Sequence, residues 1–174
     1  VHGPSLPTIL RANETPRATP EGRILPPSVH GVRYISMGLF LEDESQAVIW
    51  RGPMLSSLLR QFLTDVDWGE LDYLIVDSPP GTGDEPLSVA QLIPDADGAL
   101  IVTTPQEISL ADVRKSINFC RQVNMEILGL VENMSGLKCP HCGKMIDIFK
   151  TQGGMLTAKR EGLNLLGSLP FEPD

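Results

Sequence analysis

The chain has 174 residues, 41% of them hydrophobic, with three cysteines and a formal net charge of −8. That length and apolar share suffice for one folded domain with a core, and they argue against a disordered chain. The acidic balance offers no footprint for nucleic-acid phosphates or an anionic membrane, so neither is expected as a direct partner. No apolar run reaches the roughly 18 to 20 residues of a bilayer span, and VHGPSLPTIL lacks a leader pattern. Sparse cysteines in odd number fit a reducing compartment, which makes a soluble cytoplasmic protein the expectation.

Taken in chain order, residues 1–31 are dense in Pro and Gly and predict loop rather than regular structure. VRYISMGLF (32–40) predicts a strand. PMLSSLLRQFLTDV predicts a helix, because Leu55, Leu58, Leu59, Phe62 and Leu63 recur at helical spacing with Pro53 in the first turn. Three short apolar runs, LDYLIVD (71–77), GALIVTT (98–104) and MEILGLVEN (125–133), predict strands buried on both faces. Between and after them lie SLADVRKSINFCRQV, with Leu110, Val113, Ile117 and Cys120 on one stripe, the short helix MLTAKREG, and a last strand in LNLLGSLP. Such alternation predicts an α/β fold, a parallel sheet with helices on both faces in a single domain spanning 1–174. Ligands in sheets of this kind sit outside the carboxyl ends of the strands, which directs attention to the loops there.

The densest of those loops is LDYLIVDSPPGTGDEP. A buried strand that delivers Asp77 at its tip, followed at once by Pro80, Gly81, Thr82 and Gly83, matches the acid and switch loop of a nucleotide-hydrolysing site. An Asp ending a strand before an ordinary turn is the bland alternative. The second chemical motif is GLKCPHCGKMI, in which Cys139 and Cys142 can chelate one metal ion. Zinc, an iron-sulfur cluster, a redox thiol pair and a plain turn all remain open for that spacing. The thiol pair is the least suited, because a redox CxxC opens a helix whereas this segment reads as loop on both sides. Two ligands are half a site. Cys120 belongs to an apolar helical stripe, so a second copy of the chain meeting at the same loop is the simplest source of four thiolates.

The segments VHGPSLP, VIWRGPM, DYLIVDSPPGTGD, VTTPQE, GLVENMS with CPHCG, and GSLPFEP stand in the order and spacing of the Mrp-type iron-sulfur carrier ATPases, relatives of MinD and ParA. The chain resembles that family over essentially its whole length. The resemblance implies a three-layer, parallel-sheet P-loop NTPase-like domain that binds ATP and Mg. Asp77 would be the Walker B acid, the catalytic position, and Pro80, Gly81, Thr82 and Gly83 the switch loop. Gly3 and Pro4 would end the first switch motif, Asn133 would bond the adenine, and Pro170 would lie in the loop closing over the base. Cys139 and Cys142 would share a labile [4Fe-4S] cluster between the subunits of a homodimer, or of a heterodimer with a paralogue, for delivery to apo iron-sulfur client proteins. A dimeric interaction module stapled by zinc is the alternative function.

One departure stands out. No glycine-rich phosphate loop and no GKS or GKT occurs in the chain, so the polypeptide by itself is expected to bind ATP weakly or not at all. A slow ATPase is expected only of the complete protein, and the chain reads as cut within its fold at both ends.

Overall fold

The computed structural model describes residues 5–12, 14–40, 52–147 and 153–171. The chain forms two compact units, one built from Val1–Pro79 with Gly83–Leu92, the other from Pro80–Thr82 with Ile93–Asp174.

The first unit begins with a short helix α1 (Ser5–Ile9) and two small antiparallel ladders, β1 (Arg17–Ala18) with β2 (Ile24–Leu25), and β3 (Ser28–Val29) with β4 (Val32–Arg33). The Pro- and Gly-rich start is therefore loop interrupted by minimal elements rather than loop alone. Only Val32 and Arg33 of the strand expected at 32–40 pair; the chain then turns into a 3-10 helix, Met37–Phe40. Ser36 explains the change. Its carbonyl accepts the Leu39 N–H at 3.1 Å and its Oγ the Gly38 N–H at 3.3 Å, a local alternative to ladder bonding that also buries Met37.

Helix α2 (Gly52–Thr64) forms as its spacing predicts, burying Leu55, Leu59 and Phe62. Phe62, Met37 and Val66 make a small core, with Ile24, Ile35, Leu58 and Trp68 packed against it. The chain leaving the helix is held by side chains: Trp68 Nε1 donates to the Phe62 carbonyl at 2.8 Å, and Arg23 Nη2 to that of Val66 at 2.9 Å. Helix α3 (Asp84–Leu92) meets α2 through a 2.7 Å hydroxyl contact between Ser56 and Ser88. Asp84 and Glu85 in its first turn complement the positive end of its dipole.

LDYLIVD is the main departure from expectation in this unit. Among the described residues 71–77 has no ladder partner, and Tyr73 and Ile75 are 85% and 88% exposed. A strand is a pairing property rather than a local one, and an apolar run suited to two covered faces forms no strand where no neighbouring strand lies alongside it.

The second unit is a sheet in the order β5–β6–β8, all parallel, formed by β5 (Ala99–Thr103), β6 (Ile127–Lys138) and β8 (Leu165–Phe171), with β7 (Met145–Ile146) antiparallel to the far end of β6. Helices α4 (Glu107–Gln122) and α5 (Gly153–Glu161) pack on the sheet, and Ile101, Val113, Ile117, Cys120, Leu130 and Ala158 form the core between them. Arg121 joins the two helices, donating to the Glu161 carboxylate at 3.1 Å and to its backbone carbonyl at 2.8 Å. Among the described residues the strands are covered on one face. Ile101 and Thr103 are buried, whereas Leu100 and Val102, on the opposite face by strand alternation, are 52% and 56% exposed.

Candidate functional site

Strand β6 leads to the thiol pair. It runs past the point where MEILGLVEN ends and forms a hairpin with β7, in register Leu137↔Ile146 and Lys138↔Met145. The two metal-binding candidates occupy its turn. The Cys139 N–H donates to the Lys144 carbonyl at 2.9 Å, and the Gly143 N–H donates to the Cys139 carbonyl at 2.9 Å. Closing so tight a turn takes a left-handed residue, and Gly143 has φ +71°. The segment expected to be loop on both sides is thus framed by strands, because β6 continues instead of stopping at Asn133. It opens no helix, as the sequence also indicates.

Backbone amides converge on the first thiol. The amide of Cys142 and then that of His141 hydrogen-bond Cys139, with a smaller part from the Cys142 side chain; together they hold its pKa below the usual thiol range against a slight opposing effect of burial. A thiolate stabilised in this way is a prepared soft-metal ligand, since amide donors lower the cost of its negative charge. Cys139 is half-buried and Cys142 exposed. Cys120 is the opposite case: it is buried in the helix–sheet core, and burial raises its pKa. Among the described residues no group of three or more His, Cys, Asp or Glu side chains is placed to hold a metal. The hairpin supplies two thiols.

Asn133 lies on β6, six residues before Cys139 in the turn that follows it, and pairs with Leu169 of β8 as the unbroken ladder ends. The next residue, Met134, takes φ 53°, and its N–H donates to Asn133 Oδ1 at 2.9 Å, so the half-buried carboxamide is oriented by its own backbone. Pro170 follows Leu169 within β8, in a strand rather than the expected loop, which puts it beside Asn133. Among the described residues β8 lies at the edge beyond β6, where a residue lacking an N–H is tolerated.

Asp77 is exposed at the end of the 71–77 segment, not at the tip of a buried strand. Pro80, Gly81, Thr82 and Gly83 follow as an irregular loop leading into α3, with Gly81 at φ +107°. Thr82 lines an open hollow of about 300 Å³ with Lys115, Asn118, Phe119 and Gln122 of α4. Gly3 and Pro4 lie outside the described residues.

Two residues of interest escape a motif search. Glu132, on β6 between Val131 and Asn133, is buried, and its Oε2 accepts the N–H of Gly154 at 2.5 Å. A glutamate at the end of an apolar strand and a Gly-Gly pair opening a helix were the available signals.

A family model described as the NUBPL iron-transfer P-loop NTPase, of the ParA group, matches residues 1–174. The chain belongs to the ParA/NUBPL family of P-loop NTPases. Among its relatives, an iron-sulfur cluster carrier protein of Methanocaldococcus jannaschii is 50% identical over 173 residues, covering 99% of this chain and 60% of that protein. The cytosolic Fe-S cluster assembly factor CFD1 of Saccharomyces cerevisiae is 44% identical over 98% of this chain and 61% of its own length. A solved structure of an Archaeoglobus fulgidus nucleotide-binding protein in complex with ADP, with cobalt found by PIXE, superposes with a TM-score of 0.79 at 33% identity, covering 97% of this chain and 65% of that one. The chain thus spans about three fifths of the curated relatives it matches. The P-loop NTPase fold expected from PPGTGD and ENMSGLKCPHC is the fold of this family, and no helix among the described residues is long and apolar enough to cross a membrane.

Proposed function

We propose that the protein to which this ParA/NUBPL-family chain belongs carries an iron-sulfur cluster as cargo, bridged between two subunits through Cys139 and Cys142, and passes it to apo-proteins under the control of bound nucleotide. The observation that carries this reading is the hairpin turn itself: two thiols, one of them held ready as thiolate by the amides of Cys142 and His141, with no third ligand placed nearby among the described residues. Four thiolates complete a [4Fe-4S] site, and two-fold symmetry supplies two from each chain. The relatives named as iron-sulfur carriers and assembly factors support the cargo, and the ADP-bound neighbour supports the nucleotide.

Within this proposal the chain's residues divide the work. Cys139 and Cys142 hold the cargo, and exposure of Cys142 leaves it open to the attacking thiolates of a client. Asn133 offers a carboxamide to an adenine edge beside Pro170, since an amide presents donor and acceptor together. Asp77 orients the shell of a magnesium ion, and the 80–83 loop answers to the terminal phosphate. Magnesium supplies charge neutralisation on the phosphates when bound. Partners are a second copy or a paralogue, and apo iron-sulfur clients in the cytoplasm.

Anaerobic reconstitution of the complete protein with iron and sulfide tests the cargo. Expected are a cluster per dimer in the wild type and loss of it in Cys139→Ala and Cys142→Ala. Undiminished cluster in those variants refutes the assignment. Stoichiometric zinc without iron or sulfide, in protein purified without oxygen, would replace it with the zinc-stapled module.

A further inference from the structure

We infer that Glu132 is a positioning residue that clasps the two ends of the segment carrying the thiol hairpin. Its carboxylate is buried, only 4% of the residue being exposed, and Oε2 accepts the Gly154 N–H at 2.5 Å. Glu132 stands immediately before Asn133, where the unbroken β6–β8 ladder ends, and Gly154 is the second residue of α5. One hydrogen bond therefore joins the start and the finish of everything between, including the turn with Cys139 and Cys142.

The packing is built around that bond. A Cβ at Gly154 would lie 2.7 Å from Glu132 Oε2 and 2.9 Å from Glu132 Cβ, so only glycine lets the strand and the helix approach this closely. A Cβ at Gly153 would lie 2.8 Å from both the Pro105 carbonyl oxygen and Leu110 Cδ1, which seats the start of α5 against the loop between β5 and α4. A buried carboxylate is costly unless satisfied, and an amide at a helix N-terminus is among the few backbone groups that offset the cost. The clasp matters because, among the described residues, the hairpin is otherwise held to the sheet only at its stem, where Leu137 pairs with Phe171 of β8. β7 contributes two ladder pairs, and residues 141–147 are exposed throughout. If two copies are to present their thiols to one cluster, each hairpin must leave its sheet at a fixed place, which Glu132 with Gly154 sets together with the Leu137–Phe171 pair.

This role rests on the proposal that Cys139 and Cys142 hold the cargo, and its test separates the two. In the complete protein, Glu132→Gln keeps an acceptor oxygen at the same position and Glu132→Ala removes it. Hydrogen exchange is followed in peptides covering 137–146 and, as an internal reference, in α4; loss of reconstituted cluster to a chelator is followed by absorbance. Glu132→Ala is expected to speed exchange in the hairpin and shorten the cluster's lifetime about tenfold, the scale on which removal of an outer-shell partner acts on a metal site. Exchange in α4 stays unchanged, and Glu132→Gln returns both readouts toward wild type. Wild-type hairpin exchange and cluster lifetime in Glu132→Ala overturn the clasp. So does equal acceleration in α4, which would make Glu132 a general core residue. A wild type that takes up no cluster overturns the cargo proposal instead, while hydrogen exchange still judges the clasp.

Discussion

Replacing Gly143 by alanine reads out both the geometry of the thiol turn and the number of chains that share its cargo. Gly143 has φ +71° and nothing within 4 Å of an added Cβ, so the substitution introduces backbone strain without a clash. For an L-residue that strain is about 1 kcal/mol. An empty hairpin can relax it, because its tip is exposed; a loaded one must keep the turn that points both thiols at the metal. The strain is therefore charged to binding. One chain holding the metal loses about fivefold in affinity, and two chains sharing a cluster lose about 2 kcal/mol, or roughly thirtyfold. Gly162, just after α5, also has φ +71° and open space around it, so Gly162→Ala is the matched control. Chelator competition against reconstituted protein measures the affinity. The expected outcome is a roughly thirtyfold loss for Gly143→Ala and none for Gly162→Ala. A fivefold loss refutes bridging, and equal behaviour of the two variants refutes the role of the turn.

Three further outcomes follow from particular residues. Leu130 is fully buried between the sheet and its helices, so Leu130→Ala should cost about 3 to 4 kcal/mol in denaturant unfolding, whereas Leu100→Ala, on the exposed face of β5, should cost well under half of that. A comparable loss at both sites would show that the second face is covered as well. In metal-free protein, the pH midpoint for alkylation, read by mass spectrometry, should lie below the usual ~8.5 at Cys139 and above it at Cys120. The linked stability changes have opposite signs. The Cys139 contribution is present above the unfolded thiol pKa and lost as pH falls through the lowered folded value; that of Cys120 is present below the unfolded value and lost as pH rises through the raised one. Coincident midpoints would remove the amide-stabilised thiolate. Finally, Asn133→Ala in the complete protein should weaken adenine nucleotide binding at least tenfold while leaving cluster content intact, measured by calorimetry and iron analysis. Unchanged affinity would take Asn133 out of the nucleotide site.

Periodicity located what depends on neighbours along the chain. Leu55, Leu59 and Phe62 on α2, and Val113, Ile117 and Cys120 on α4, are buried as their spacing requires, because a helix satisfies its own backbone and needs only one covered stripe. The thiol pair and the acid-plus-glycine loop were equally legible, since each is a contiguous run of residues. Strands were read less well. LDYLIVD has a composition as suited to a sheet as that of GALIVTT, yet only the latter finds a parallel partner among the described residues. At 32–40 the hydroxyl of Ser36 and the burial of Met37 favour a turn over the extended form that the apolar pattern suggests.

Helices α2 and α4, the α/β class and the paired cysteines were determined by sequence alone, for each is stated in local chemistry. Tertiary structure decided what no window of sequence holds. It made β6 long enough to run from Asn133 to the turn that holds the thiols, placed Pro170 next to the Leu169 that pairs with Asn133, and set the carboxylate of Glu132 on the amide of Gly154. These pairings join residues far apart in sequence, and only the packed sheet and helix bring their polar groups within bonding distance.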